Sequence, residues 1–273
     1  MTFINTKDDN QIYLKDWGHG KLVVLVHGWP LSADSWDDVA LALAEAGYRV
    51  IAYDRRGFGR SSQPWDGYDY DTLADDLAAV LDYAKQDNAA IIGFSMGGGE
   101  VARYMSRHKG KGVNKAVLIA SVLPFRLETA DNPNGTPQEK FDETLTKIRE
   151  DRPHFFTEFF RKFFGITENP KAVTQEVLDW AKDIALQAGI KPTTECVRSF
   201  SSTDFREDLK AFKVPTLFIH GTKDVTVPIE SSSRLAVAAI PSAKLLEYKG
   251  APHGLFATDK QRLIQDLINF LKL

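Results

Sequence analysis

Gly93-Phe94-Ser95-Met96-Gly97 sets a serine between two glycines with one residue on either side. A serine hydroxyl is a poor nucleophile until a base takes its proton, and that base must itself be oriented by a third group. A sharp strand-to-helix turn exposes such a hydroxyl, and only small residues fit beside it. The plain alternative is a glycine-rich turn around a buried serine. Context favours the nucleophile, because residues 89–94 read as a strand and 97–107 as a helix.

The same loop admits a rival reading. Gly97-Gly98-Gly99-Glu100-Val101-Ala102 satisfies a relaxed dinucleotide pattern. That pattern needs an acid about 20 residues on, at the end of the next strand, to hold a ribose. The next strand ends Ile119-Ala120-Ser121, without an acid, so the reading fails. No G-x-x-x-x-G-K-[ST] phosphate loop is present either.

A base and an acid are expected at later strand ends. Of the six histidines, His253 lies in Gly250-Ala251-Pro252-His253-Gly254, between the last strand and the last helix. His27 and His220 end strands beside turns and read as satisfied structural histidines, whereas His19, His108 and His154 lie in polar segments and read as surface residues. Asp224 stands in the loop leaving the penultimate strand, and the chain order Ser95, Asp224, His253 is the one expected for a nucleophile turn of this kind. The other usual place for the acid holds Ala120 and Ser121, so Asp224 has no good competitor. A tetrahedral intermediate also needs backbone donors aimed at its oxyanion. The amide of Met96 follows the nucleophile directly. A second donor is expected from His27-Gly28-Trp29-Pro30, where Trp29 keeps its N–H and Pro30 has none.

These groups meet only if one sheet presents them along one edge. Residues 22–26 form a continuous apolar run, as a strand buried on both faces does. An alternating strand (11–17) precedes it, and helices (36–46, 72–84) and strands (49–53, 89–94, 115–120) alternate after it. Repeated βαβ units predict a mostly parallel sheet with helices on both faces. From 121 to 213 the rhythm breaks, with turn formers at 129–137 and helical segments at 138–149 and 174–187. That stretch is too long for a loop. It reads as a helical cap, because strands (216–220, 244–248) and helices (229–240, 259–271) resume after it. The expectation is one domain, 1–273, with a cap at 121–213 inserted in it.

Composition narrows the chemistry. Hydrophobic residues make up 43% and charged residues 26%, a globular mixture that excludes disorder and coiled coil. With 37 acidic and 34 basic residues the net charge is −3, which leaves no electrostatic footprint for nucleic acid or an acidic membrane. One cysteine, Cys196, excludes an internal disulfide framework and any cysteine-rich metal site, and it reads as a small buried residue. The first ten residues lack the features of a signal peptide and no apolar run is long enough to span a bilayer. The expected compartment is the cytoplasm, although a chain without disulfides also tolerates an oxidising one.

Taken together, His27-Gly28-Trp29-Pro30, Asp54-Arg55-Arg56-Gly57-Phe58-Gly59-Arg60-Ser61, the Ser95 motif extended to Gly98, His220-Gly221-Thr222-Lys223-Asp224 and Ala251-Pro252-His253-Gly254 resemble the α/β-hydrolase fold. More closely they resemble its cofactor-free haloperoxidase and aryl-esterase subgroup, from Ile12 to the last helix. The resemblance implies an eight-stranded sheet, a carboxylesterase acting on a small-molecule ester or acyl substrate, and an acyl-enzyme on Ser95 that water or peroxide then attacks. It implies no metal, no haem and no other cofactor. Members of the subgroup often assemble, so a homo-oligomer stays open. Residues 54–61 read as a structural turn with arginines in ion pairs. A γ-lactamase or amidase on the same three residues remains an alternative, as does a hydrolase-fold ligand receptor. Haloalkane dehalogenases and epoxide hydrolases need an aspartate where Ser95 stands.

Phe155, Phe156, Phe159, Phe160, Phe163 and Phe164 line one broad helical face. Phe159 and Phe163 are expected to reach the substrate pocket, together with Pro30, Val122, Phe125, Phe200 and Val227. Such an apolar pocket favours small or aromatic esters over charged substrates. Pro30 carries two readings. One is a plain turn proline. In the other its fixed φ turns the Trp29 carbonyl towards the acyl-enzyme, where it accepts a hydrogen bond from hydrogen peroxide. On that second reading, Pro30→Leu lowers the ratio of peracid formation to hydrolysis measured on one acyl donor. An unchanged ratio leaves the turn proline.

Overall fold

The computed structural model describes residues 1–273. Eight strands form one sheet: β1 (Thr2–Asn5), β2 (Gln11–Gly18), β3 (Lys21–Val26), β4 (Tyr48–Tyr53), β5 (Ala89–Phe94), β6 (Val113–Ile119), β7 (Thr216–Gly221) and β8 (Ala243–Tyr248). Their order is β1-β2-β4-β3-β5-β6-β7-β8, and only the pairings made by β2 are antiparallel. The central strands β3 and β5 are apolar along their length and are buried almost throughout, as strands covered on both faces must be.

The connections explain why both faces are covered. From β3 the chain moves through α1 (Asp37–Glu45) to β4 on one side, then returns through α2 (Tyr70–Ala84) to β5 on the other. Right-handed crossovers that step in opposite directions put their helices on opposite faces. Accordingly α2 packs on α3 (Met96–Arg107), whereas α1 packs on α9 (Lys260–Lys272). The strands from β3 to β8 all end on the same edge, so the loops that leave them lie side by side.

Between β6 and β7 the chain forms α4 (Gln138–Phe163), α5 (Gln175–Gln187) and α6 (Ile190–Ser202), with no further strand. Instead of stopping near residue 149, α4 runs on to Phe163 across a kink at Asp151, whose φ is −153°. Pro153 prevents an unbroken helix there, and the Asp151 carboxylate caps the second half by accepting from the His154 amide at 2.9 Å. Its phenylalanines carry the insertion onto the body: Phe156, Phe160, Phe163 and Phe164 are all buried. Three of the strands and α-helices have no counterpart in the sequence reading: β1, α6 and the short α8 (Leu255–Thr258). The helix expected over 229–240 is a short 3₁₀ turn (Ile229–Ser231) followed by α7 (Ser233–Ala238), and α8 precedes α9. No helix is long and apolar enough to cross a membrane.

The charged groups at the end of β4 are buried and paired. The Arg55 guanidinium, at the end of β4, meets the Glu100 carboxylate of α3, and the Tyr53 hydroxyl donates to the same carboxylate at 2.8 Å. Arg55 also donates from Nη2 to the His27 carbonyl at 2.5 Å and from its amide to His27 Nε2 at 2.9 Å. Arg56 pairs with Asp76 and Asp8, and Arg60 with Asp54 and Asp34. The 54–61 turn therefore has the ion-paired arginines expected of it, and Glu100 is a structural partner rather than part of a nucleotide loop. Removing one member of a buried pair leaves an uncompensated charge. Glu100→Ala is expected to lower the free energy of unfolding by about 3–5 kcal/mol, read from urea denaturation.

Candidate active site

Ser95 is the hinge between β5 and α3. Its φ is +53° and its ψ −117°, a conformation that a non-glycine residue holds only when its surroundings impose it. The surroundings are visible. A Cβ on Gly93 would lie 2.5 Å from the Gly97 carbonyl oxygen, and one on Gly97 would lie 2.4 Å from the Val26 carbonyl oxygen. The start of α3 is thus pressed against its own strand and against β3, and the chain must turn at Ser95. Its carbonyl accepts from the Val122 amide at 3.3 Å, and its amide donates to Ile119 at 2.8 Å.

Ser95 Oγ is 2.9 Å from His253 Nε2, and His253 Nδ1 is 2.6 Å from Asp224 Oδ2. The three groups come from the ends of β5, β7 and β8, as the sequence order anticipated. The His253 ring is held between Phe94 and Phe163, with centroids 5.1 Å and 4.9 Å away. Asp224 Oδ1 accepts the amides of Thr226 and Val227 at 2.9 and 2.8 Å. Burial opposes its ionisation. The attraction of His253 and the hydrogen bonds from His220 and His253 outweigh that penalty and hold the carboxyl well below the usual carboxylate range.

His220 therefore does more than fill space beside a turn. Its Nε2 lies 3.1 Å from Asp224 Oδ2 and 2.8 Å from the Val227 carbonyl, while Nδ1 meets Ser233 Oγ at 2.7 Å. It fixes the acid and the loop that carries the acid. The signal available in the sequence was its place at a strand end, four residues before Asp224. His27 is a satisfied histidine, with Nδ1 at 2.9 Å from the Gly28 carbonyl. His19 and His154 are exposed, but His108 is half-buried and meets Asp75 at 2.7 Å, a correction to its reading as a surface residue.

The two amides expected to face an oxyanion border the same space as Ser95, since Trp29 and Met96 both line the cavity above it. Met96 is the first residue of α3, so its N–H has no partner within the helix. The Trp29 amide is taken by no acceptor in the protein. Its indole is fixed by a 3.1 Å bond from Nε1 to the Thr193 carbonyl and by the rings of Phe156, Phe159 and Phe200.

The cavity has a volume of about 740 Å³. Val122, Phe159, Phe200 and Val227 line it as expected, and Phe155 joins them. Pro30, Phe125 and Phe163 do not line it. Pro30 is buried, Phe125 is covered by the Arg206 guanidinium at 5.3 Å, and Phe163 is fully buried against His253. The walls are also more charged than the sequence suggested. Lys140, Glu143, Lys147, Glu150, Glu158 and Lys162 of α4 stand around the opening, and Arg126 reaches the lining from the loop after β6. Periodicity displayed the aromatic face of α4 but not that its charged neighbours overhang the entrance.

A family model described as alpha/beta hydrolase fold matches residues 21–260. The chain belongs to the α/β-hydrolase family, in its cofactor-free haloperoxidase and esterase subgroup. It is 41% identical over 273 residues to the non-heme chloroperoxidase CPO-A1 of Kitasatospora aureofaciens, with 99% of each chain covered. It is 40% identical over 276 residues to the bifunctional esterase/perhydrolase DCH of Acinetobacter calcoaceticus, covering both chains fully. A bromoperoxidase from Bacillus anthracis, known from its crystal structure, superposes with a TM-score of 0.96 at 43% identity over the whole of both chains.

The state of His27 makes a measurable difference. Burial, and then the neighbouring Arg55 charge, hold its ring well below the ordinary value of 6.5. Unfolded chains bind a proton there as pH drops through about 6.5, whereas the folded chain does not. Stability from this group is complete above that pH and falls below it, by at most about 1.4 kcal/mol per pH unit. His27→Gln is expected to flatten the slope of unfolding free energy between about pH 6 and pH 5 by close to one proton, read by urea denaturation across that range.

Proposed function

We propose that this protein is a serine ester hydrolase that works through an acyl-enzyme on Ser95, with peracid formation as a second outlet. The observation that carries the reading is the unbroken hydrogen-bonded line from Ser95 Oγ through the His253 ring to Asp224, opening into a cavity. The names of its relatives, which include an esterase/perhydrolase and non-heme chloroperoxidases, support both outlets.

In this reading His253 Nε2 accepts the Ser95 proton as Oγ bonds to the ester carbonyl carbon. Asp224 stays ionised, holds the Nδ1–H tautomer and stabilises the imidazolium. The amides of Trp29 and Met96 donate to the carbonyl oxygen as it becomes an oxyanion. Collapse breaks the carbon–oxygen bond to the alcohol, which leaves with the proton from His253. Water, deprotonated by the same nitrogen, then attacks the acyl group and releases the acid. With hydrogen peroxide in place of water the same step releases a peracid, and a carboxylic acid that acylates Ser95 with loss of water enters by the reverse of hydrolysis.

The same reading treats 1–273 as one hydrolase domain and 121–213 as the cap that selects substrate. Support comes from α4, whose phenylalanines cover Trp29 and pack on His253 while Phe155 and Phe159 face the cavity. Small esters suit the apolar lining of Val122, Phe200 and Val227. A cytoplasmic setting belongs to this reading too, and Cys196 is buried and unpaired.

A short nitrophenyl ester tests the proposal. Wild type is expected to turn it over, and Ser95→Ala to lower kcat by about 10⁴-fold or more. Equal rates in the two proteins remove Ser95 as nucleophile. Binding without turnover in wild type makes the chain a receptor on a hydrolase fold.

A further inference from the structure

Arg126 is a charge that the chemistry above does not use. Its side chain is 93% buried, at 7% exposure, yet it lines the cavity that holds Ser95. Only Nη2 is engaged, donating to the Thr226 carbonyl at 3.0 Å and to Thr136 Oγ1 at 3.3 Å. Nε and Nη1 have no partner in the protein. They are not sealed off, since Trp36 Nε1 is the one fully enclosed side-chain nitrogen or oxygen left without a bond.

The other deeply buried guanidinia are treated differently. Arg55 meets Glu100, and Arg56 meets Asp76. No carboxylate stands within ion-pairing distance of Arg126, and the one whose charge it senses, Asp224, is already engaged by two histidines and two amides. Burial lowers its pKa only to about 10, so it is a cation at neutral pH. A buried cation without a counter-ion is costly. One whose free donors face a ligand cavity is a preformed anion receptor.

We propose that Arg126 receives a carboxylate carried by the substrate, so that the preferred esters are anionic: an ester bond at Ser95 and a free carboxylate at the guanidinium. This rests on Ser95 being the nucleophile and adds to it the substrate class. The apolar stretch of Val122, Val227 and Phe200 then accommodates the carbon chain between the two groups. The acids of α4 that line the cavity, Glu143, Glu150, Asp151 and Glu158, are exposed and none lies within ion-pairing distance of Arg126; Glu143 pairs with Lys140 at 3.3 Å.

The test compares kcat/KM for simple alkyl esters in matched pairs. Monoethyl succinate, glutarate and adipate place the carboxylate on the acyl side, against ethyl esters of monocarboxylic acids of the same length. Acetoxyacetate and 3-acetoxypropionate place it on the alcohol side, against neutral alkyl acetates. In wild type the best anionic ester is expected to exceed its neutral partner by about ten-fold or more. Arg126→Gln is expected to remove that preference, and Arg126→Lys to restore part of it. Free dicarboxylates should also inhibit wild-type hydrolysis of a neutral nitrophenyl ester about ten-fold more strongly than the matching diamides, a measurement that needs no variant. Equal rates on anionic and neutral esters in wild type, a preference that survives in Arg126→Gln, or equal inhibition by dicarboxylate and diamide overturns the proposal. Failure of the nucleophile reading looks different: no ester is hydrolysed, or Ser95→Ala hydrolyses them as wild type does. Calorimetric binding of glutarate to wild type and Arg126→Gln still reports on the receptor in that event.

Discussion

Everything at the site follows from the closeness with which α3 approaches β3. Only backbone separates Gly97 from the Val26 carbonyl, and that proximity forces the turn in which Ser95 is caught. It also brings the start of α3, whose first amide has no partner within the helix, beside the loop that follows β3. The approach is held from below by the Arg55–Glu100 pair. Glu100 rises from the first turns of α3, and Arg55 grips both the carbonyl and the ring of His27, the residue after β3. One ion pair therefore ties together the helix that offers Met96 and the loop that offers Trp29. The spacing of these two backbone amides is a property of the core, set before any substrate arrives.

The parts legible in the sequence are those governed by local periodicity or by tight turns. A continuous apolar run revealed β3, the alternation of strands and helices revealed β5 and β7, and the glycines around Ser95 marked the elbow, because each of those features is imposed within a few residues. The places where the reading failed share a different origin. Helix α6 contains Pro192, Thr193, Thr194, Val197 and three serines, residues that favour helix weakly. Thr193 and Thr194 bond back to carbonyls one turn earlier, at 2.7 and 3.0 Å. Contact of its buried face with α4 makes it a helix. Strand β1 is four residues long and mostly exposed, and exists because β2 offers it an edge.

The site shows the same division. Ser95, Asp224 and His253 could be placed from the strand ends that carry them. The pocket could not, since its walls are assembled from the loops after β3, β6 and β7, a kinked helix and α6. Phe163 follows Phe159 by one turn on the same face, and no pattern in the sequence distinguishes a ring that meets substrate from a ring that meets the histidine. Arg126 lies between Phe125 and Leu127 in a loop rich in turn formers, where an arginine ordinarily faces solvent. Its burial is decided by Thr136 and Thr226, the second of them far along the chain.

The kink in α4 has a consequence for how this protein can change. Beyond Asp151 a single helix bears two kinds of ring: Phe155 and Phe159 border the cavity, while Phe160 is enclosed and Phe163 abuts the imidazole. Exchanging the first pair alters the room offered to a visitor and leaves the imidazole's own wall in place. Exchanging Phe163 disturbs the imidazole whatever the visitor. Diversification of diet and preservation of the engine are thus allotted to different rings along one rod, which the break at Asp151 sets off from the half of the helix that precedes it.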